Sequence, residues 1–357
     1  MLATLFLKEN RIKHTIGLSS WWLGLLLSAL IALFAISGSH LYSIQKLGIS
    51  ALTIAIVFGI LIGNTVFPAI SEHCAAGVDF SKNKLLRLGI ILFGFKVSFQ
   101  QISDVGWHGL AIAITIVVST LFIAYQLGTK LFKLDRQTAL LIGAGSAICG
   151  AAAIIATEPV IRAQSHKVTI SIATVVIFGT ISMLVYPLLY PYLGLTEHAY
   201  GVFAGSTIHE VAQVVAAGHG VSDVAESTAV IEKMLRVMLL APFLLILFLL
   251  EQRRTKQLGS DKKEAYKQAI TIPWFAFLFI LVSGINSLNI LPTTLTQPLV
   301  YLDNILLTMA MAALGLRTHL GAIRQAGIKP LLLAASLFCF LLVGGLYINE
   351  GINLLIA

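Results

Sequence analysis

What most constrains this chain is a succession of apolar runs, each about as long as a bilayer core is thick. A spanning helix needs about 20 mostly apolar residues. Such runs occur at Gly17–Ile36, Ile49–Phe67, Lys84–Gln101, Val105–Leu127, Val168–Tyr190, Val230–Leu250, Ile272–Asn289, Pro298–Leu316 and Pro330–Ala357. The 357 residues are 57% hydrophobic and only 11% charged, whereas a soluble domain carries about 25% charged residues. A compact body in water cannot hide that much apolar surface. The expected fold is an all-α polytopic membrane protein, which excludes a soluble enzyme, a disulfide-framed secreted domain and a disordered chain. Cys74, Cys149 and Cys339 are scattered and carry no metal-ligand spacing.

Basic residues set the orientation, because loops rich in Lys and Arg stay in the cytoplasm. Lys8, Arg11 and Lys13 precede the first run, which is read as an uncleaved helix since no convincing A-x-A cleavage site follows it. Lys130, Lys133 and Arg136, the cluster from Arg253 to Lys267, and Arg317, Arg324 and Lys329 prefer the same side. Segments 191–200, 219–229 and 290–297 contain no Lys or Arg and suit the outside. This scheme puts the N-terminus in the cytoplasm and the C-terminus in the periplasm.

Two further stretches, Leu140–Ala156 (LLIGAGSAICGAAAIIA) and Gly201–Ala217 (GVFAGSTIHEVAQVVAA), are dominated by small residues. Arg162 and Lys167 follow the first, so charge bias has it enter from the cytoplasm and return. The second would then dip in from the outside. Alternatively both cross as broken helices, so the expected count is nine to eleven spans.

The chain also resembles itself. Leu92–Gly106 matches Ala313–Gly327 at an offset of 221, with Gly94 on Gly315, Lys96 on Arg317 and Gly106 on Gly327. Ala144–Ala156 matches Ala204–Ala216 at an offset of 60, identical at six of thirteen positions. With re-entrant Gly-Ser segments, each matched pair runs in opposite directions. That is the signature of an inverted repeat, whose substrate site forms near the midplane from discontinuous helices. The expected organisation is one transmembrane transporter domain, with an extra helix at 17–36, repeat one at 49–190 and repeat two at 201–357.

Irregular backbone at membrane depth is tolerated where it lines a cavity. Helix starts are expected at Gly145-Ser146 and Gly205-Ser206, with Thr207 alongside, where free N–H groups and the positive dipole end would hold an anion. Close packing through small residues is the competing account. Ser206, His209, Glu210 and Gln213 recur at i, i+3, i+4 and i+7, a polar stripe inside an apolar segment. His209 and Glu210 are the expected proton carriers. Arg236 is expected to support the anion, and Lys233 sits three residues before it. No metal site is expected, since His209-Glu210-Val-Ala-Gln213 has glutamine where a zinc-binding H-E-x-x-H would need its second histidine. No catalytic residues are expected either: Ser146 follows Gly143-Ala144-Gly145 and lacks the G-x-S-x-G setting of a nucleophile.

The stretches LLRLGIILFGFKVSFQQISDVG, LIGAGSAICGAAAIIATEPV, KVTISIATVVIFGT, AGSTIHEVAQVVAAGH and MLRVMLLAPFL together resemble the sulfate exporter family, the YeiH-type inner-membrane proteins of bacteria. The resemblance runs along essentially the whole chain. It implies an anion exporter of the bacterial inner membrane, most simply for sulfate or a related sulfur oxyanion, with two inverted repeats. Through its similarity to bile-acid symporter and cation–proton antiporter folds, it also implies broken helices that cross. A passive anion channel is the alternative function. The expected partners are a small anion and the lipid bilayer. No cofactor and no nucleic acid is expected, and a homodimer is left open.

Overall fold

The computed structural model describes residues 18–40, 50–257, 274–288, 291–318, 321 and 327–356. Among them every regular element is helical. In chain order these are α1 (Leu18–Ser39), α2 (Ala51–Thr65), α3 (Phe67–Phe80), α4 (Leu86–Phe93), α5 (Phe99–Gln126), α6 (Arg136–Ala144), α7 (Ala151–Ile161), α8 (Ser165–Leu193) and α9 (Glu197–Thr207). There follow α10 (Val211–His219), α11 (Asp223–Met238), α12 (Leu240–Gln257), α13 (Trp274–Ser287), α14 (Thr293–Leu316), α15 (Ile328–Cys339) and α16 (Gly345–Ile356). Six described stretches are long and apolar enough to cross a membrane: Ser20–Ser39, Phe99–Leu131, Ser165–Leu193, Asp223–Arg254, Thr294–Leu316 and Ile328–Leu355. The protein is an all-α polytopic membrane protein.

One expected span is redrawn. The run Lys84–Gln101 is not one helix; α3 continues through a π turn at Ser81–Leu85 into α4, and a new helix begins at Phe99. Pro68 falls in the first turn of α3, where its missing N–H costs nothing. Ser98 caps α5 in a reciprocal pair with Gln101, whose Oε1 accepts from the Ser98 N–H at 2.9 Å. Local capping chemistry therefore cuts a run that is continuous in hydropathy.

The described helices form two compact units, one from the chain up to Phe93 with Pro292–His319, the other from Gly94–Leu291 and Leu320–Ala357. Each draws on both proposed repeats. In the first unit α2 and α14 meet backbone to backbone: a Cβ on Gly59 would lie 2.5 Å from the Ala312 carbonyl. Small residues allow such approach where lipid offers no hydrophobic drive for association. Asn64 adds hydrogen bonds to the carbonyls of Ile60 (2.8 Å) and Thr318 (2.9 Å). Arg317 pairs with Asp79, Nε to Oδ1 at 2.9 Å.

In the second unit, α6 and its π turn at Gly145–Cys149 run in, and α7 runs back beside them. Gln137 at the start of α6 donates to the carbonyls of Ile161 and Arg162, both at 3.1 Å, at the end of α7. Lys167 closes the same end on Asp135 Oδ1 (2.8 Å) and Gln137 Oε1 (3.0 Å). The second Gly-Ser segment folds likewise. Tyr200 in α9 donates to the Ala217 carbonyl in α10 at 3.2 Å, and Ser222 donates to Glu197 at 2.8 Å. Both segments are hairpins whose ends lie together, so the crossing broken helices implied by the family resemblance are not formed. The return of the first segment, which charge bias favoured, keeps Arg162 and Lys167 at the end that Asp135 and Gln137 occupy.

Of the two glycine pairs matched at the offset of 221, Gly94 lies in a 3-10 turn and Gly315 inside α14, whereas the other pair is alike. Gly106 (φ 37°) interrupts α5 and Gly327 (φ 77°) precedes α15, each just ahead of a long apolar helix.

Candidate functional site

The two hairpin tips meet. The first turns at Gly150, held at φ 70° and ψ −137°. The second turns through extended backbone at Ile208 and Glu210. At the offset of 60, Gly150 and Glu210 are equivalent positions in the two copies. They are also in contact: Glu210 Oε1 accepts from the Ala151 N–H at 3.3 Å, and a Cβ on Gly150 would lie 2.9 Å from that oxygen. Gln213 Oε1 accepts from the Glu210 N–H at 3.1 Å, which closes a capping box at the start of α10.

Here the sequence expectation is corrected. Helices do not start at Gly145-Ser146 and Gly205-Ser206. Gly145 and Ser146 lie in the π turn that prolongs α6, and Gly205, Ser206 and Thr207 lie in the last turns of α9. The helix starts fall after the turns, at Ala151 and Val211. Small residues let the chain stay helical to the point where its carbonyls find cations.

Those cations come from α11. Lys233 and Arg236 are both fully buried. Lys233 Nζ donates to the carbonyls of Ile148 (2.8 Å) and Ile208 (2.7 Å), which are equivalent positions in the two copies. Arg236 donates from Nη1 to the Ile208 carbonyl at 3.0 Å, from Nε to that of Ala147 and from Nη2 to that of Ser146. The last carbonyls of a helix lack intrahelical partners and carry its negative dipole end. A buried cation there can be worth up to about 2 kcal/mol. Arg236 is thus a clamp on backbone, with three of its nitrogens engaged.

Other polar groups at the tips lack partners. Ser146 Oγ, both ring nitrogens of His209 and Gln213 Nε2 have no hydrogen-bond partner among the described residues, although all three side chains are buried. Buried polar atoms in native proteins are overwhelmingly satisfied. These orphans belong to the two segments whose tips precede the starts of α7 and α10. Ser206 differs: its hydroxyl donates to the Phe203 carbonyl (3.1 Å) and accepts from Asn349 Nδ2 (3.1 Å). Thr207 also donates to the Phe203 carbonyl. Gly145 packs on Ile154 and Val175, and Gly205 on the Ala229 carbonyl.

Sequence reasoning left Gly150, Glu232 and Lys233 outside the site and did not single out Asn349. The signal for Gly150 was available, since alignment of the copies sets it opposite Glu210. Nothing in one sequence announces Asn349, which reaches Ser206 from 143 residues away.

The open end of the first hairpin is held by Asp135. Its Oδ1 accepts from the N–H groups of Gln137 (3.1 Å) and Thr138 (3.2 Å), and its Oδ2 from the Thr138 hydroxyl (2.6 Å). Partial burial disfavours the carboxylate charge, but hydrogen bonds from Lys167 and Thr138 outweigh it and hold the carboxyl below its usual 3.8. Asp135→Ala is expected to cost about 1 kcal/mol, the usual worth of a helix cap, read as a lower melting temperature in detergent. A depressed carboxyl keeps its stabilising charge at neutral pH and loses it only as pH falls through the lowered value. An unchanged melting temperature would show that the cap does not hold the hairpin.

Fold and site together define a multi-pass membrane protein with paired hairpins closed around buried charges. The family model described as "Conserved hypothetical protein 698" matches residues 23–334. The chain belongs to that family. It is 55% identical over 336 residues to the UPF0324 inner membrane protein YeiH of Salmonella typhi, covering 94% of this chain and 95% of that protein. It is 52% identical over 336 residues to YeiH of Escherichia coli K12, with the same coverage. A UPF0324 membrane protein of Yersinia pestis is 53% identical over 339 residues, 93% of this chain and 92% of its own.

Proposed function

We propose that the protein is a secondary transporter of the bacterial inner membrane that exports a small anion, most simply sulfate or a related sulfur oxyanion, with proton coupling. The observation that carries this reading is the meeting of two hairpin tips beside two helix starts, with unsatisfied Ser146, His209 and Gln213 groups around them. Helix starts and backbone N–H groups suit a tetrahedral oxyanion without a dedicated arginine. Lys233 and Arg236 supply positive charge from behind the tips while their own hydrogen bonds go to backbone.

Glu210 gives the coupling a physical form. Its carboxylate rests on the Ala151 N–H, where an external anion would rest. The protein's own carboxylate therefore competes for the site. A proton on Glu210, relayed by His209, withdraws that competitor and opens the helix starts to substrate. Ser146 and Gln213 complete the contact, while Gly145, Gly205, Ser206 and Thr207 shape the helices that lead to it. The N-terminus lies in the cytoplasm and the C-terminus in the periplasm, in keeping with the charge bias of the loops.

The test uses purified protein in liposomes, with uptake of sulfate, sulfite and taurine measured with and without a pH gradient. Accumulation of one of them driven by the gradient and lost in Glu210→Gln is the expected result. Downhill flux indifferent to pH would favour a channel, and no flux of any of the three would remove this substrate class.

A further inference from the structure

The coupling scheme above uses Glu210, yet a second buried carboxyl lies on α11 and takes no part in it. Glu232 is fully buried, and neither of its oxygens has a hydrogen-bond partner among the described residues. Its side chain runs along the seam where α11 packs between α5 and α9. A Cβ on Gly205 of α9 would lie 2.8 Å from Glu232 Cβ, and one on Gly109 of α5 would collide with Glu232 Oε2. Val105 and Leu235 border the same spot. The titratable groups that act on Glu232 are Lys233 and Arg236 of its own helix. From α5 and α9 it meets Val105, Gly109 and Gly205, none of which can titrate.

An ionised carboxylate buried without a single donor is costly, even with cations on the same helix. Ionisable groups kept inside a membrane protein at such cost generally mark ion or proton pathways. Glycine at 109 and 205 leaves room for this carboxyl and for little else, so the seam is built around it. Acid–base groups gather nearer the start of α11, where Glu226 Oε2 lies 3.0 Å from His219 Nδ1 and 3.7 Å from Lys96 Nζ.

We propose that Glu232 is an intramembrane proton-binding site that sets the charge seen by the anion. This deepens the transport reading and rests on it for its consequence, though not for its chemistry. One proton binds one carboxylate oxygen, an O–H bond forms, and the same bond breaks when the proton leaves. Once Glu210 has given up the site, an ionised Glu232 leaves Lys233 and Arg236 one net positive charge. With Glu232 protonated as well, the tips carry two net positive charges and hold an anion more tightly. Proton and anion are thereby linked through charge, without direct contact between them.

The test reads the proton itself. Infrared spectra of the wild-type protein in liposomes at neutral pH should contain the carbonyl stretch of a protonated carboxyl that is missing in Glu232→Gln and retained in Glu210→Gln. If Glu232→Gln does not fold, Glu232→Asp serves: the band should persist but shift with the altered environment. A second arm measures sulfate and sulfite binding across pH. Affinity should rise as pH falls in the wild type, and that pH dependence should be weakened in Glu232→Gln, where Glu210 alone still answers to pH. A wild type without the protonated-carboxyl band, a band unaltered in both Glu232 variants, or full pH dependence in Glu232→Gln would each overturn the proposal. Failure of the wild type to bind or move any of the anions would sink the transport reading, while the infrared band still decides Glu232.

Discussion

Gly150→Ala is expected to abolish accumulation of folded protein. At φ 70° and ψ −137° the residue holds a conformation that L side chains rarely adopt, which alone costs about 1–2 kcal/mol. The added methyl would also sit 2.9 Å from Glu210 Oε1 and closer still to Glu210 Cγ. Those atoms cannot yield cheaply, since Glu210 caps α10 and bonds to the Ala151 N–H. Size-exclusion of detergent extracts should show loss of the monodisperse peak. The double variant Gly150→Ala/Glu210→Ala should recover part of it, because the collision goes and only the backbone strain remains. A stable, monodisperse Gly150→Ala protein would mean that the tips do not meet as described.

Arg236→Met should be nearly as damaging. The guanidinium serves the carbonyls of Ser146, Ala147 and Ile208 at once. Removing it leaves the first two without that donor, and each stranded polar group costs about 1–3 kcal/mol. Lys233→Met should cost less, since it strips only the Ile148 carbonyl while Ile208 keeps Arg236. Thermal unfolding in a single detergent should rank them in that order. Arg236→Lys is the sharper probe, because an ammonium is a compact donor and cannot span three carbonyls as a planar fork does. Wild-type stability in Arg236→Lys would refute the clamp.

Much of this architecture was legible from composition and charge. Apolar runs of spanning length announce the helices, and the placement of Arg162 and Lys167 foretold that the first small-residue segment turns back. The run Lys84–Gln101 misled because hydropathy is blind to capping, and Ser98 with Gln101 starts a helix inside it. The site was half legible. The polar residues His209, Glu210 and Gln213 could be picked out, but not as one helical stripe, because the chain is extended at Ile208 and Glu210 between α9 and α10; the equivalence of the two segments could be read as well. The turning points could not, because Gly-Ser pairs look like helix breaks, whereas the chain turns where orphan carbonyls meet Lys233 and Arg236. Those partners lie 85 and 90 residues along the chain from Ile148 and Ser146. No local pattern records such a meeting.

Lys233 belongs to neither of the matched segments, yet its one ammonium is shared by the Ile148 and Ile208 carbonyls, the same position in each. A fastener of this kind has a mechanical consequence. Neither hairpin can swing open alone without stranding a buried cation and a carbonyl, at a cost of several kcal/mol. Separate movement of the two hairpins is therefore expensive. The cheap motion carries both hairpins and α11 together as one piece.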